Sequence, residues 1–269
     1  MSDATGPPDA ENGAVDGIDA ATWERPAYAI GAAVGLALAG VLASVVIGVA
    51  VGGALAALDL SLTVTVSFVV TFVAGSIGFV TVAALYLRRR VADPIAFVGV
   101  RVPSLSEAAW TVGGYLAAFG AILAAAVVMT VLGVSPDTAN RAAVAGMRHP
   151  TLLLWLVPLS FLVIAPGEEL LFRGTVQRRL RGAFPAWIAI VLTAVIFATI
   201  HFVSLTGGAG GRFVAIGVLF LPSLIFGTVY EVTENLVVPI LVHGAYNATL
   251  FGLIYVSVAM LPQRAAILF

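Results

Sequence analysis

The polar residues of this chain are spaced so that long stretches carry no charge at all. Residues 27–58, 62–87 and 108–134 contain no charged side chain. Each run exceeds the roughly 20 apolar residues that a helix needs to cross a hydrocarbon core. Four further apolar segments come later: 151–167 running on through Arg181, then 184–203, 213–230 and 238–260. Open sheets cannot satisfy their backbone in lipid, and these runs are too long for barrel strands. The pattern therefore predicts an all-α, polytopic transmembrane helical bundle of about seven to eight spans. The first and third runs are rich in Ala and Gly, which lets helices approach closely in lipid. Asp93-Pro94 and Pro103 break any long helix between the second and third spans, so a short interfacial segment is expected there. Three regions result: a disordered acidic tail over 1–26, N-terminal membrane helices with an interfacial connector over 27–104, and a core over 105–269.

Composition agrees with the pattern. Of the 269 residues, 61% are hydrophobic and 10% charged, against about 45–50% and about 25% in soluble domains. A water-soluble globule and a nucleic-acid binder of the basic kind are excluded, and the bilayer is the expected environment. With no Cys, disulfides, thiolate nucleophiles and thiolate metal sites are excluded. All 13 basic residues are Arg, and six of the 14 acids fall in the first 24 residues. Eight Arg (Arg25, Arg88, Arg89, Arg90, Arg101, Arg178, Arg179, Arg181) lie on one side of the threaded spans and four (Arg141, Arg148, Arg212, Arg264) on the other. By the positive-inside rule this predicts a multi-pass protein of the cell membrane with a cytoplasmic N-terminus. Trp110, Trp155 and Trp187 fall near span ends, as interfacial aromatics do.

Against this background residues 166–173 stand out. They read Pro-Gly-Glu-Glu-Leu-Leu-Phe-Arg inside the fourth span. Each ionisable group at the centre of a membrane helix costs about 2.5–3.5 kcal/mol. Glu168, Glu169 and Arg173 together cost roughly 8–10 kcal/mol before pairing. Glu169 and Arg173 are spaced i, i+4 and share a face. Glu168 lies about 100° away round the helix, so one carboxylate can pair with Arg173 while the other faces a cavity. A structural ion pair explains Glu169 and Arg173 but leaves Glu168 without a role.

Two His lie on other helices. Phe197-x-x-x-His201 ends the fifth span, and His243-x-x-x-Asn247 sits in the seventh. The fourth and fifth spans form a hairpin turning near Gly182 to Phe184. Glu168 lies roughly 23 Å before that turn and His201 roughly 27 Å after it, at 1.5 Å per residue. They fall at nearly one level. His243 lies only roughly 9 Å into its helix on the same rise. Either the connection around Glu231 to Val237 dips into the protein, or the site opens to the cytosol.

A carboxylate, two imidazoles and a carboxamide suit amide hydrolysis. The carboxylate can act as general base on a water, one His can orient that water, and a second His with Asn can donate to the oxyanion. The chain has no Gly-x-Ser-x-Gly elbow. The same atoms of Glu168, His201 and His243 also make a His₂Glu zinc set, although the HExxH helix is absent. A proton- or ion-coupled transporter uses intramembrane Glu and His too, and a non-catalytic scaffold is a further alternative.

Glu168-Glu169-x-x-x-Arg173, Phe197-x-x-x-His201 and His243-x-x-x-Asn247 resemble, in order and spacing, the three motifs of the CPBP intramembrane protease family. This is the CAAX-protease and bacteriocin-processing (Abi) family that includes the Rce1-type prenyl-protein endopeptidases. Gly174 after Arg173 resembles the family's Phe-Arg-Gly. The resemblance covers about residues 105–260, most closely 150–250. It implies that 105–269 is an intramembrane endopeptidase core; the absence of the HExxH helix favours a metal-free glutamate base over zinc, so no cofactor is expected. The resemblance implies that Glu168 is the general base, that His201 helps bind the catalytic water, and that His243 and Asn247 form the oxyanion site. Glu169, Arg173 and Phe197 would support them. The implied partner is a peptide or lipidated protein substrate, either a prenylated CAAX protein cleaved after its isoprenylated Cys or a membrane peptide.

Overall fold

The computed structural model describes residues 25–134 and 138–260; the acidic tail read over residues 1–26 lies almost wholly outside them. Among the described residues, seven helices are long and apolar enough to cross a membrane, which is the polytopic all-α bundle that the apolar runs predict. We label the helices α1 (Pro26–Ala57), α2 (Val64–Arg88), the short α3 (Pro94–Val98), α4 (Leu105–Val131), α5 (Arg141–Arg148), α6 (Pro150–Arg181), α7 (Ala186–Ile200), α8 (Ala209–Thr233) and α9 (Val237–Tyr255). No strand occurs among the described residues; one antiparallel bridge pairs Asn140 with Leu205.

The third span begins earlier than its charge-free run. It starts at Leu105 and takes in Glu107. The reason is a capping box: Ser104 Oγ accepts from the Glu107 N–H, and the Glu107 carboxylate accepts from the Ser104 N–H. Arg101 pairs with the same carboxylate. The charge thus caps the helix rather than interrupting it. Between α2 and α4 lies the short α3, with Asp93 capping it through the N–H groups of Ile95 and Ala96.

Helix α6 occupies the centre. It packs against α1, α2, α7 and α9, and it is the most buried span, 44% against 11% for α1. Small residues let its neighbours approach. A Cβ on Gly167 would stand 2.3 Å from Ser76 Oγ, one on Gly40 2.6 Å from Leu171, and one on Gly78 2.4 Å from the Ser44 backbone. The Ser76 hydroxyl donates to the Val163 carbonyl at 2.7 Å and joins α2 to α6. Helices α4, α8 and α9 pack together on the far side of α6, and α7 packs on α8.

The helix α6 is continuous but not uniform. It widens to i→i+5 winding over Ser160–Ile164 and again over Phe172–Gln177. Pro158 and Pro166 flank the first widening, and each lacks the N–H that would continue the ladder. In the second, Thr175 Oγ1 donates to the Leu170 carbonyl five residues back. Each widening rotates the downstream turns relative to an unbroken helix. The stretch between them, Ala165–Leu171, carries both Glu.

The Arg assigned to one side meet at one end of the bundle. Arg181 bridges Glu231, Arg178 donates to Tyr230 and lies over Phe97, and Arg101 donates to the Thr233 carbonyl. At the other end Arg141 donates to the Val203 carbonyl and Arg212 to that of Gly207. The connection before α9 is covered rather than exposed. Asn235 and Leu236 are buried, the Leu236 N–H donates to Gly99 O, and Asn235 Nδ2 donates to Arg101 O. Of the two explanations for the shallow position of His243, the structure supports a connection tucked under the 98–101 segment. Gly99 permits the contact: its φ is +74°, and a Cβ there would stand 1.9 Å from Glu234 O.

Candidate active site

The site grows from the charged turn of α6. Glu169 and Arg173 have no exposed side-chain surface, and Arg173 Nη1 donates to Glu169 Oε1 at 3.0 Å. The i, i+4 pairing read from the sequence is present. Its surroundings reach further than the sequence suggests. Arg173 Nη2 donates to both the carbonyl and the hydroxyl of Ser223 on α8, at 3.0 and 2.8 Å. The guanidinium also lies 4.8 Å from the Phe197 ring centre and 5.5 Å from that of Phe226. A buried charge needs partners of this kind to be tolerated.

The other partner of Glu169 is His243. Its Nδ1 lies 2.7 Å from the same Oε1 that Arg173 holds. A carboxylate can only accept, so Nδ1 carries the proton and donates. The ring is thereby fixed, and it stacks on Phe226 at 4.7 Å with 19° between planes. This leaves Nε2 facing Glu168, at 3.8 Å from Oε2. The result is one ordered row: Arg173, Glu169, His243, Glu168. Charges alternate along it when His243 is protonated.

Glu168 differs from its neighbour as the 100° offset predicts. Its side chain is 16% exposed, and it opens into a cavity of about 100 Å³ between α2 and α6. Among the described residues it accepts no hydrogen bond.

His201 reaches the site by another route. Helix α7 ends in the tight turn His201–Ser204. His201 Nδ1 lies 2.7 Å from the Phe197 carbonyl, so this nitrogen donates and Nε2 stays free. The Phe197 ring lies 4.5 Å from the His201 ring and 6.0 Å from the His243 ring. Phe197 is thus the packing residue that seats both imidazoles, and it abuts Phe172 edge-on at 5.0 Å. No hydrogen bond joins His201 to Glu168 among the described residues. Asn247 lies one turn beyond His243 on α9, half-buried and without a hydrogen bond among the described residues.

The zinc alternative would draw on Glu168, His201 and His243, of which His243 Nε2 and Glu168 Oε2 stand 3.8 Å apart. No group of three or more His, Asp or Glu among the described residues gathers as metal ligands.

The sequence reading missed Ser223 and Phe226. Ser223 had one signal, a hydroxyl directly after Pro222 in an apolar span. Phe226 had none, since one Phe among apolar neighbours is indistinguishable from lipid-facing bulk.

Residues 150–249 match the family model described as type II CAAX prenyl endopeptidase Rce1-like. No curated protein and no solved structure matched the chain significantly. The matched segment contains Glu168, Glu169, Arg173, Phe197, His201, Ser223, His243 and Asn247, so every residue of the row described above lies in the part of the chain that is similar to the Rce1-like model.

Proposed function

We propose that the chain is a membrane-embedded endopeptidase in which Glu168 activates a water molecule against a peptide carbonyl. The observation that carries the reading is the row itself. Two buried residues, Arg173 and Glu169, fix His243 so that its Nε2 faces Glu168, a carboxylate that opens into a cavity. Such a row has no purpose in a purely structural ion pair, which would end at Glu169.

In the proposed reaction the Glu168 carboxylate takes a proton from water as the oxygen attacks the carbonyl carbon. The carbonyl oxygen becomes an oxyanion. His201, with Nδ1–H committed to Phe197, presents Nε2 as acceptor and holds the water. His243, protonated and stabilised by Glu169, donates from Nε2, and the Asn247 carboxamide donates beside it. Glu168 then passes its proton to the leaving amine as the C–N bond breaks. The new carboxylate carries the oxygen from water. A positioned base of this type contributes about 10²–10⁴-fold and an oxyanion donor about 10²–10³-fold. The reaction as drawn uses no metal ion.

We place the substrate among prenylated CAAX proteins, cleaved after the modified Cys, because the family model is that of the prenyl endopeptidases. We place the protein in the cell membrane with its N-terminus cytoplasmic, in line with the Arg distribution. The test is cleavage by the purified, lipid-reconstituted protein of prenylated CAAX peptides and unmodified membrane peptides in ¹⁸O-labelled water. One product carrying the label at its new carboxylate is expected. No cleavage of any peptide contradicts the proposal.

A further inference from the structure

At the end of the bundle opposite Arg178 and Arg181, a groove of about 360 Å³ lies between α5, the start of α2 and the segment after α7. Small-molecule sites occupy about 300–1,000 Å³. The surface inside the groove is almost wholly apolar and includes Val64, Phe68, Val144 and Ala145. Arg141, Arg148 and His149 border it, and all three are exposed. Helical spacing produces this layout. Positions 141, 144, 145 and 148 fall on one face of α5, so two Arg stand two turns apart with apolar residues between them. Another side of α5 is seated on α6, where Gly146 leaves no room for a Cβ beside Leu153. The groove is also tied at its far edge: Arg141 Nε donates to the Val203 carbonyl, and the Thr206 N–H donates to Ala139 O at 2.9 Å.

The cations keep donors to spare. The Nη groups of Arg141, the whole guanidinium of Arg148 and the His149 ring make no hydrogen bond or ion pair among the described residues. Of the four Arg that the sequence sets at this end, two border this one groove. No carboxylate lines it, so a headgroup with its own ammonium would meet only like charge. A free anion needs the cations but has no use for the apolar floor, whereas a lipid uses both. Val64 and Phe68 lie in the first turns of a membrane span, so an acyl chain resting on them runs on into the hydrocarbon. The planar guanidinium fork suits a phosphate held at the interface. We infer that this groove binds one anionic phospholipid, its phosphate held by Arg148, Arg141 and His149 and its chains lying on Val64, Phe68 and Val144.

The experiment titrates the full chain in detergent with phosphatidylglycerol or phosphatidylcholine and reads retained lipid by native mass spectrometry. Wild type is expected to hold phosphatidylglycerol more tightly than phosphatidylcholine. Arg148→Gln is expected to weaken the tightest phosphatidylglycerol roughly ten-fold or more, the scale of losing hydrogen bonds between two charged groups. Val144→Trp keeps every charge, fills the floor and is expected to weaken the same lipid. Both variants should unfold at the wild-type temperature in phosphatidylcholine, because Arg148 is exposed and Val144 is only partly buried. Inorganic phosphate at equal concentration is expected to displace none of the lipid; displacement would make this a free-anion site and overturn the proposal. Unchanged retention by Arg148→Gln overturns it as well. If that variant keeps the lipid and instead slows cleavage of peptides with a free C-terminal carboxylate but not of amidated ones, the groove holds a peptide terminus and the lipid assignment is wrong.

Discussion

Arg173 is the residue whose loss the structure makes most costly. Its guanidinium makes one hydrogen bond to Glu169 and two to Ser223, and neither Arg173 nor Glu169 has exposed side-chain surface. Arg173→Met keeps the volume and removes the charge. Glu169 is then left buried with only the His243 N–H to hold it, and its Oε2 already lacks a partner among the described residues. Breaking a buried pair in this way costs about 3–5 kcal/mol. At about 2–4 °C per kcal/mol for a chain of this size, the midpoint of unfolding should fall by roughly 6–20 °C. Arg173→Lys should cost less, about 1–3 kcal/mol, because it keeps the charge but cannot bond Glu169 and Ser223 through one planar fork. Adding Glu169→Gln to Arg173→Met removes the stranded charge. The double variant should therefore be more stable than Arg173→Met alone, with a coupling of at least about 1 kcal/mol. The assay is thermal unfolding in detergent, monitored by Trp fluorescence. If Arg173→Met melts within about 2 °C of wild type, less than the shift expected for even 1 kcal/mol, or the double variant is no better than the sum of the singles, the buried row is not energetically coupled as described.

Three other outcomes are expected. Gly99→Ala forces a Cβ against Glu234 O and a φ of +74° that Ala rarely adopts; it should destabilise the cover over the α9 entry by about 1–3 kcal/mol, measured by thermal unfolding. Ser76→Ala removes the bond to Val163 O and should cost about 1 kcal/mol by the same assay, with activity largely kept. Extended dialysis against a strong chelator should leave peptide cleavage unchanged, since the proposed reaction draws on a carboxylate base and uses no metal ion; loss of activity restored by added zinc would contradict it.

The physics of lipid made much of the fold legible in the sequence. A charge-free run must be a helix, so seven spans could be read with ends shifted by a few residues. The cost of burying charge singled out Glu168, Glu169 and Arg173 before any contact was known, and helical geometry already separated the surroundings of the two Glu. The bond between Glu169 and His243 was not readable, because it joins residues 74 apart in the chain and depends on how α9 packs on α6. Two i→i+5 widenings in α6 were hidden as well. The sequence shows Pro158 and Pro166, but not where the helix absorbs them. The α2 wall of the cavity beside Glu168 was invisible for a further reason: Thr71, Phe72 and Gly75 look like ordinary span residues until α6 is set against them.

Glu168 is the residue on which the proposed chemistry turns, and it can be tested while the fold is kept. Glu168→Gln preserves shape, removes the base and leaves the Arg173–Glu169–His243 row intact. The decisive measurement is the rate of peptide cleavage by this variant beside wild type, in protein shown by thermal unfolding to be equally folded. A general-base role predicts a fall of about 10²–10⁴-fold with an unchanged unfolding midpoint. Cleavage at the wild-type rate would show that Glu168 is not the base, and the central claim would be wrong.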